Sequence, residues 1–204
     1  MLHISALGAG KGTSHYLESK GEADKFLHAA EDIDETIIQP SVIFGSGDAF
    51  FNRFASLLKM MPVLPLACPE ARMQPVWAGD VAAVITKSLA DPSTAGQTLV
   101  AVGPHEYSLQ ELVEFTADII RKKRRVIGLP DGLSRFQGRV MDFVPGKPFS
   151  SDNYQSLQTP NTSEENCLWR FGIQPRSVEC VVPGYLVKGD HQQRLDECRR
   201  WINR

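Results

Sequence analysis

Apolar positions along this chain follow two rhythms. Short apolar runs at Leu2 to Leu7, Thr36-Ile-Ile and Thr98 to Val102 read as buried strands. Between them, apolar residues recur every three or four positions, the spacing of an amphipathic helix. From Ser14 to about Glu31 the stripe is Leu17, Ala23, Phe26, Leu27 and Ala30, with Glu18, Glu22 and Lys25 outside it. From Asp48 to Met61 it is Phe50, Phe54, Leu57, Leu58 and Met61, a spacing more typical of core than of a ligand box. Asp80 reads as the N-cap of a helix to about Leu89, and Ser108-Leu-Gln-Glu111 as a capping box opening a helix through Ile120. Val126 to Leu129 is a short strand, Pro130 starts a helix through about Phe143, and Asp190 to Arg204 is a last amphipathic helix. Pro62 to Pro75, with four prolines, and the polar stretch Pro145 to Ser163 read as loops. Strands alternating with helices predict an α/β fold, with parallel strands near residues 2–7, 35–39 and 98–102 and helices on the sheet faces.

Composition narrows the class without naming it. The 204 residues carry a formal net charge of −2 and are 42 % hydrophobic, enough for a sizeable core in one domain or slightly more. Near-neutral charge argues against nucleic acid as the main partner. No apolar run approaches the ~20 residues of a membrane span, and no signal peptide opens the chain. Cys68, Cys167, Cys180 and Cys198 are too far apart for a metal knuckle, and the five histidines are scattered, so no metal site is expected. They read as idle thiols of a reducing compartment. The basic run Arg121 to Arg125 follows a predicted helix, where cations suit the negative end of the dipole.

The candidate chemistry sits in the first thirty residues. Ser5 ends a predicted strand, where open α/β sheets place their ligands. Tyr16 and Lys20 are four residues apart, on one face of the next helix. A cation beside a phenol favours the phenolate, and a serine hydroxyl can hold a substrate oxygen, so the three make a proton-transfer set expected to converge on one cleft. Between them, Gly8-Ala-Gly-Lys-Gly-Thr13 matches the phosphate loop of adenylate kinases almost letter for letter. However, Ser5 stands where that pattern wants its first Gly, and the next strand runs into Gln39-Pro40 rather than a magnesium-binding Asp. A phosphate-loop nucleotide kinase is therefore a remote alternative, and the glycines read as a flexible turn.

Ser5, the Tyr16-Leu-Glu-Ser-Lys20 segment and the strand ending Gln39-Pro-Ser-Val-Ile-Phe-Gly45 resemble the short-chain dehydrogenase/reductase (SDR) superfamily. The SALGA turn, the YLESKGEA helix start and PSVIFGSGD are most similar to an atypical branch of NAD-dependent epimerase/dehydratase type. That branch includes the NAD(P)-binding accessory subunit of respiratory complex I and its bacterial relatives. The resemblance covers the chain to about Tyr185 and aligns it with the C-terminal portion of such a protein. It implies a partial Rossmann-like, doubly wound parallel sheet lacking its N-terminal glycine-rich half. Residues 1–105 would complete the dinucleotide-binding domain, and residues 106–204 a small substrate-side region. Gln39 departs from the Arg usual before the Pro, and Trp77 from the His usual in Val76-Trp-Ala-Gly-Asp80-Val-Ala. Asp80 is therefore read as a structural cap rather than a catalytic acid.

By this resemblance Ser5, Tyr16 and Lys20 are the catalytic set of an NAD(P)-dependent oxidoreductase or epimerase of unknown small-molecule substrate. Tyr16 and Lys20, with Pro40, Ser41 and Val42, would meet NAD or NADP. With no Gly-x-x-Gly-x-x-Gly turn in the sequence, a truncated chain of this kind is expected to bind either cofactor weakly or not at all. The alternative is a non-catalytic nucleotide-binding accessory or assembly subunit of NADH:ubiquinone oxidoreductase. Partners would then be a respiratory complex or a homo-oligomer, and the location cytoplasmic or peripheral at the inner membrane.

Overall fold

A computed structural model describes residues 1–30, 32–144 and 149–187. The order is β1 (Leu2–Ile4), α1 (His15–His28), β2 (Thr36–Pro40), β3 (Ile43–Phe44), α2 (Ala49–Met60), β4 (Val63–Leu66), β5 (Arg72–Met73), β6 (Val76–Trp77) and α3 (Ala78–Ala90). After a 3-10 turn at Pro92–Thr94 come β7 (Gln97–Ala101), β8 (Tyr107–Ser108), α4 (Leu109–Ile119), β9 (Arg125–Gly128), α5 (Asp131–Met141), α6 (Ser151–Leu157), α7 (Cys167–Arg170) and α8 (Val178–Leu186). The principal sheet is parallel in the order β1-β2-β7, pairing Leu2 with Thr36 and Thr36 with Gln97. Three two-stranded sheets, β3-β6, β4-β9 and β5-β8, extend the chain beyond it, and only β5-β8 is antiparallel. This is the expected α/β, Rossmann-like class.

Local signals explain most helix starts. Ser14 caps α1 by accepting from the Leu17 N–H, and Asp48 caps α2 by accepting from the Phe51 N–H. Ser108 and Glu111 complete the predicted capping box of α4. One apolar cluster packs α3 and α7 against the principal sheet through Ile38, Val84, Leu99 and Leu168. The other joins α2, α4, β4 and α8 through Phe51, Leu58, Leu112, Val113 and Val182.

Several expectations change. The Pro62–Pro75 loop contains β4 and β5: Leu64 and Leu66 alternate inward, while Pro65 occupies an outward pleat of a strand paired only with β9. The Pro145–Ser163 loop contains α6, whose start is a capping box of Ser150 and Asn153. Asp80 caps nothing. It sits in the first turn of α3, buried, and accepts from the Arg176 N–H at 2.8 Å, which ties the C-terminal segment to α3. Burial raises its pKa. On α1 the buried face is Leu17, Gly21, Asp24 and Leu27, while Phe26 faces solvent. On α2 the deepest ring is Phe51, stacked edge-on with Phe44, Phe50 and Phe115. The basic run also serves α2, whose last carbonyls, of Leu58 and Lys59, accept from Arg124. The predicted Asp190–Arg204 helix lies outside the described residues. Among those, no helix is long and apolar enough to cross a membrane, and no His, Cys, Asp or Glu cluster could hold a metal.

Phe51→Ala should cost about 3–5 kcal/mol in urea unfolding, the usual loss for emptying a fully buried aromatic site, whereas Phe26→Ala should stay within about 0.5 kcal/mol. Cys167 is buried in the sheet cluster, and burial pushes its thiol up to about 11. At pH 8 only about 0.1 % of it would be thiolate, so peptide mapping should find it alkylated roughly two orders of magnitude more slowly than an ordinary thiol.

Candidate functional site

The chain folds back on itself around the end of β1. Ser5 continues the ladder with its N–H on Ile38 O at 2.8 Å, and the Leu7 N–H reaches Pro40 O at 2.8 Å. The turn that follows has Gly8, Gly10 and Gly12 at positive φ, which side-chain-bearing residues rarely adopt. It lies directly on α1: a Cβ on Gly21 would fall 2.3 Å from the Gly10 Cα. Its amides point inward. Ala9, Gly10 and Lys11 donate to the carbonyls of Ala6, Leu17 and Gly8 at 3.0, 2.7 and 2.9 Å. These N–H groups are therefore committed to the turn and to α1 rather than arranged as a phosphate cradle.

A cleft of about 350 Å³ opens beyond this turn, bordered by Ser5, Tyr16, Pro40, Ser41, Val42 and Asn161. Five of the six predicted site residues thus border one space. The sixth, Lys20, sits beside it, with its ammonium donating to Ile4 O at 3.0 Å. Ser5 is buried, and its hydroxyl donates to Asp24 Oδ2 at 2.8 Å; Gln39 Nε2 donates to the same oxygen at 2.9 Å. His3 Nε2 lies 3.5 Å from Asp24 Oδ1, an ion pair when the imidazole is protonated. Tyr16 is half exposed, and partial burial raises the pKa of its phenol. Across the neutral range the group is therefore a proton donor held in its acid form.

Two residues that sequence reading left in a loop organise the far wall. Asp152 on α6 accepts from the His15 N–H at 2.7 Å and from the Tyr16 N–H at 3.4 Å, placing a carboxylate on the positive end of α1. The Ser14 and Ser156 hydroxyls meet at 2.6 Å beside it. Asn161 accepts from the Ser41 hydroxyl, accepts from the Val42 N–H at 2.9 Å and donates to Leu7 O at 3.2 Å. Its backbone joins Arg72 and Gln74 at 3.0 Å each. One residue, through its side chain and its backbone, therefore ties together the turn after β1, the Pro40–Val42 segment and the β5 region. A lone Asn followed by Thr in a polar stretch carries no local sign of this role.

No family profile matches the chain. It is 28 % identical over 208 residues to NADH dehydrogenase (ubiquinone) 1 alpha subcomplex subunit 9, mitochondrial, of Mus musculus, a match covering 99 % of this chain and 53 % of that protein. The chain thus spans about half the length of the curated relatives it matches. Among solved structures, a nucleoside-diphosphate-sugar epimerase of Staphylococcus aureus superposes with a TM-score of 0.67 and 16 % identity, over 87 % of this chain and 62 % of its own. A dTDP-4-dehydrorhamnose reductase of Bacillus anthracis, solved with NADP, gives a TM-score of 0.63 at 15 % identity, over 93 % and 65 % of the two chains. Sequence and fold point the same way: over nearly its whole length this chain is similar to that mitochondrial subunit, and it shares the Rossmann-like α/β fold of the epimerase and reductase structures.

Proposed function

We propose that the chain is part of an NAD(P)-dependent oxidoreductase or epimerase in which Tyr16 exchanges a proton with a substrate oxygen held in the Ser5–Ser41 cleft. The observation that carries this reading is the meeting of Ser5, Tyr16 and the Pro40–Val42 segment around one cleft beside the ends of parallel strands. Tyr16 in its acid form suits protonation of a developing alkoxide. Lys20 lies one turn further along α1 and would orient the ribose next to the phenol once it leaves Ile4 O.

The cleft fits the nicotinamide end of a dinucleotide. Leu7 and Leu17 supply apolar wall, and the Ser5, Tyr16 and Ser41 hydroxyls supply polar points. When bound, the nicotinamide would supply hydride chemistry, while this chain's residues orient the substrate and handle the proton. Of the residues bordering the cleft, Arg72 alone is cationic, and its guanidinium pairs with Glu106 at 3.5 Å. The substrate oxygen would accept from Tyr16, while Ser41, anchored on Asn161, fixes the opposite wall.

A second reading rests on a specific observation. The Ser5 proton is already given to Asp24, and the Lys20 ammonium to Ile4 O. That commitment suits a nucleotide-binding accessory subunit docked in a respiratory complex, as the mouse relative's name suggests for that protein. Asp24→Leu separates the two, because it removes the oxygen that accepts the Ser5 proton: turnover that rises in this variant supports the catalytic reading.

In a form of the protein that turns over, Tyr16→Phe should lower kcat by roughly 10²–10⁴-fold with the fold intact by circular dichroism. Unchanged kcat would remove Tyr16 from the chemistry. The 204-residue chain alone should bind NADH or NADPH only weakly in calorimetry, because half of a dinucleotide's contacts are worth several factors of ten in affinity. Micromolar binding of NADPH by the chain alone would overturn that expectation.

A further inference from the structure

A second cavity, of about 420 Å³, lies between α2, β4 and α6. It falls in the range of small-molecule sites. Its α2 wall is Phe50, Phe54, Leu57 and Met61, all half-buried, and its floor includes the buried Leu64 and Leu66. The stripe that reads in sequence as core is thus only partly covered by protein. The wall also contains a buried oxygen, Gln137 Oε1, with no hydrogen-bond partner among the described residues.

The cavity's position gives it meaning. Val42, Met73, Ser156 and Leu157 border both this cavity and the Ser5–Tyr16 cleft, so the two spaces meet at these four residues. Polar groups suited to a substrate oxygen lie on one side of that meeting, and a predominantly apolar pocket on the other. We infer that the site takes an amphiphile: its oxygen-bearing end lies in the cleft, and an alkyl or acyl chain runs past Leu157 and Met73 into the pocket against Phe54 and Leu57. The inference rests on the cleft being the place where a substrate oxygen is held. Met73 and Leu157 are unbranched at Cβ, and Met is the more adaptable of the two, which suits residues that pack on a chain.

The test uses two methyl ketones that share a head group, 2-butanone and 2-decanone, titrated calorimetrically into the full chain and into Leu57→Trp. Leu57→Trp fills the pocket, keeps its apolar character and is checked for folding by its Tm. Six added methylenes, even half-buried, should make 2-decanone bind at least about 50-fold tighter than 2-butanone. In Leu57→Trp that preference should fall below about fivefold, with 2-butanone binding unchanged. Equal affinity for the two ketones would overturn the inference. So would a chain-length preference that survives Leu57→Trp with the fold intact, because the tail would then lie elsewhere. Phe54→Trp, which fills the same wall, gives an independent reading should Leu57→Trp lower the Tm. A chain-length preference seen without turnover still supports the inference, because the chain alone is expected to hold NAD(P)H only weakly.

Discussion

A carboxylate buried against the end of a sheet strand is expensive, and the arrangement around Asp24 shows how it is accommodated. Asp24 lies on the inner face of α1, where periodicity alone would place an apolar residue. Hydrogen bonds from Ser5 and Gln39, with His3 alongside, offset part of its desolvation. These contacts fix the rotation of α1 about its axis. The same rotation carries Tyr16 to the cleft and brings Lys20 to the Ile4 carbonyl. The cleft's character therefore follows from one buried charge, which both positions the serine and occupies its proton.

The far wall is organised by longer-range bonds. Asp152 holds the start of α1, and Asn161 joins three segments that are distant in sequence. The Asn161 bonds are partly sheltered from water while those of Asp152 are exposed, so Asn161 is the firmer of the two anchors. The apolar pocket beyond Met73 borrows this framework, since α6 supplies both the Asp152 anchor and the Ser156–Leu157 boundary.

What the sequence revealed divides along the range of the interactions. The helix starts near Ser14 and Asp48, the Ser108–Glu111 box and the principal parallel strands are local patterns, and they appear where expected. The order of Ser5, Tyr16, Lys20 and Pro40 was legible because it is a sequential motif. Pairing of β4 with β9 was not, because Pro65 argues against a strand until a one-sided partner removes the need for its N–H. Asp80 carries a cap-like sequence context, yet its partner is the Arg176 N–H from a remote segment. Phe50 and Phe51 are neighbours with the same hydropathy. Only the arrival of α4 and β3 decides that Phe51 fills the core while Phe50 lines a pocket. Asp152 and Asn161 are polar residues in a polar stretch, and no local rule distinguishes them from solvated ones.

The contact between Gly10 and Gly21 also bears on how such a protein can diverge. With a would-be Cβ at Gly21 only 2.4 Å from the Gly10 amide nitrogen, the turn after β1 and the second turn of α1 share one volume. A residue gained at position 21 is tolerable only if the turn retreats. A turn that retreats withdraws the Leu7 carbonyl from Asn161 and the Leu7 amide from Pro40. Drift in this region is consequently concerted: two short, separated stretches must change together, or the lineage keeps both glycines.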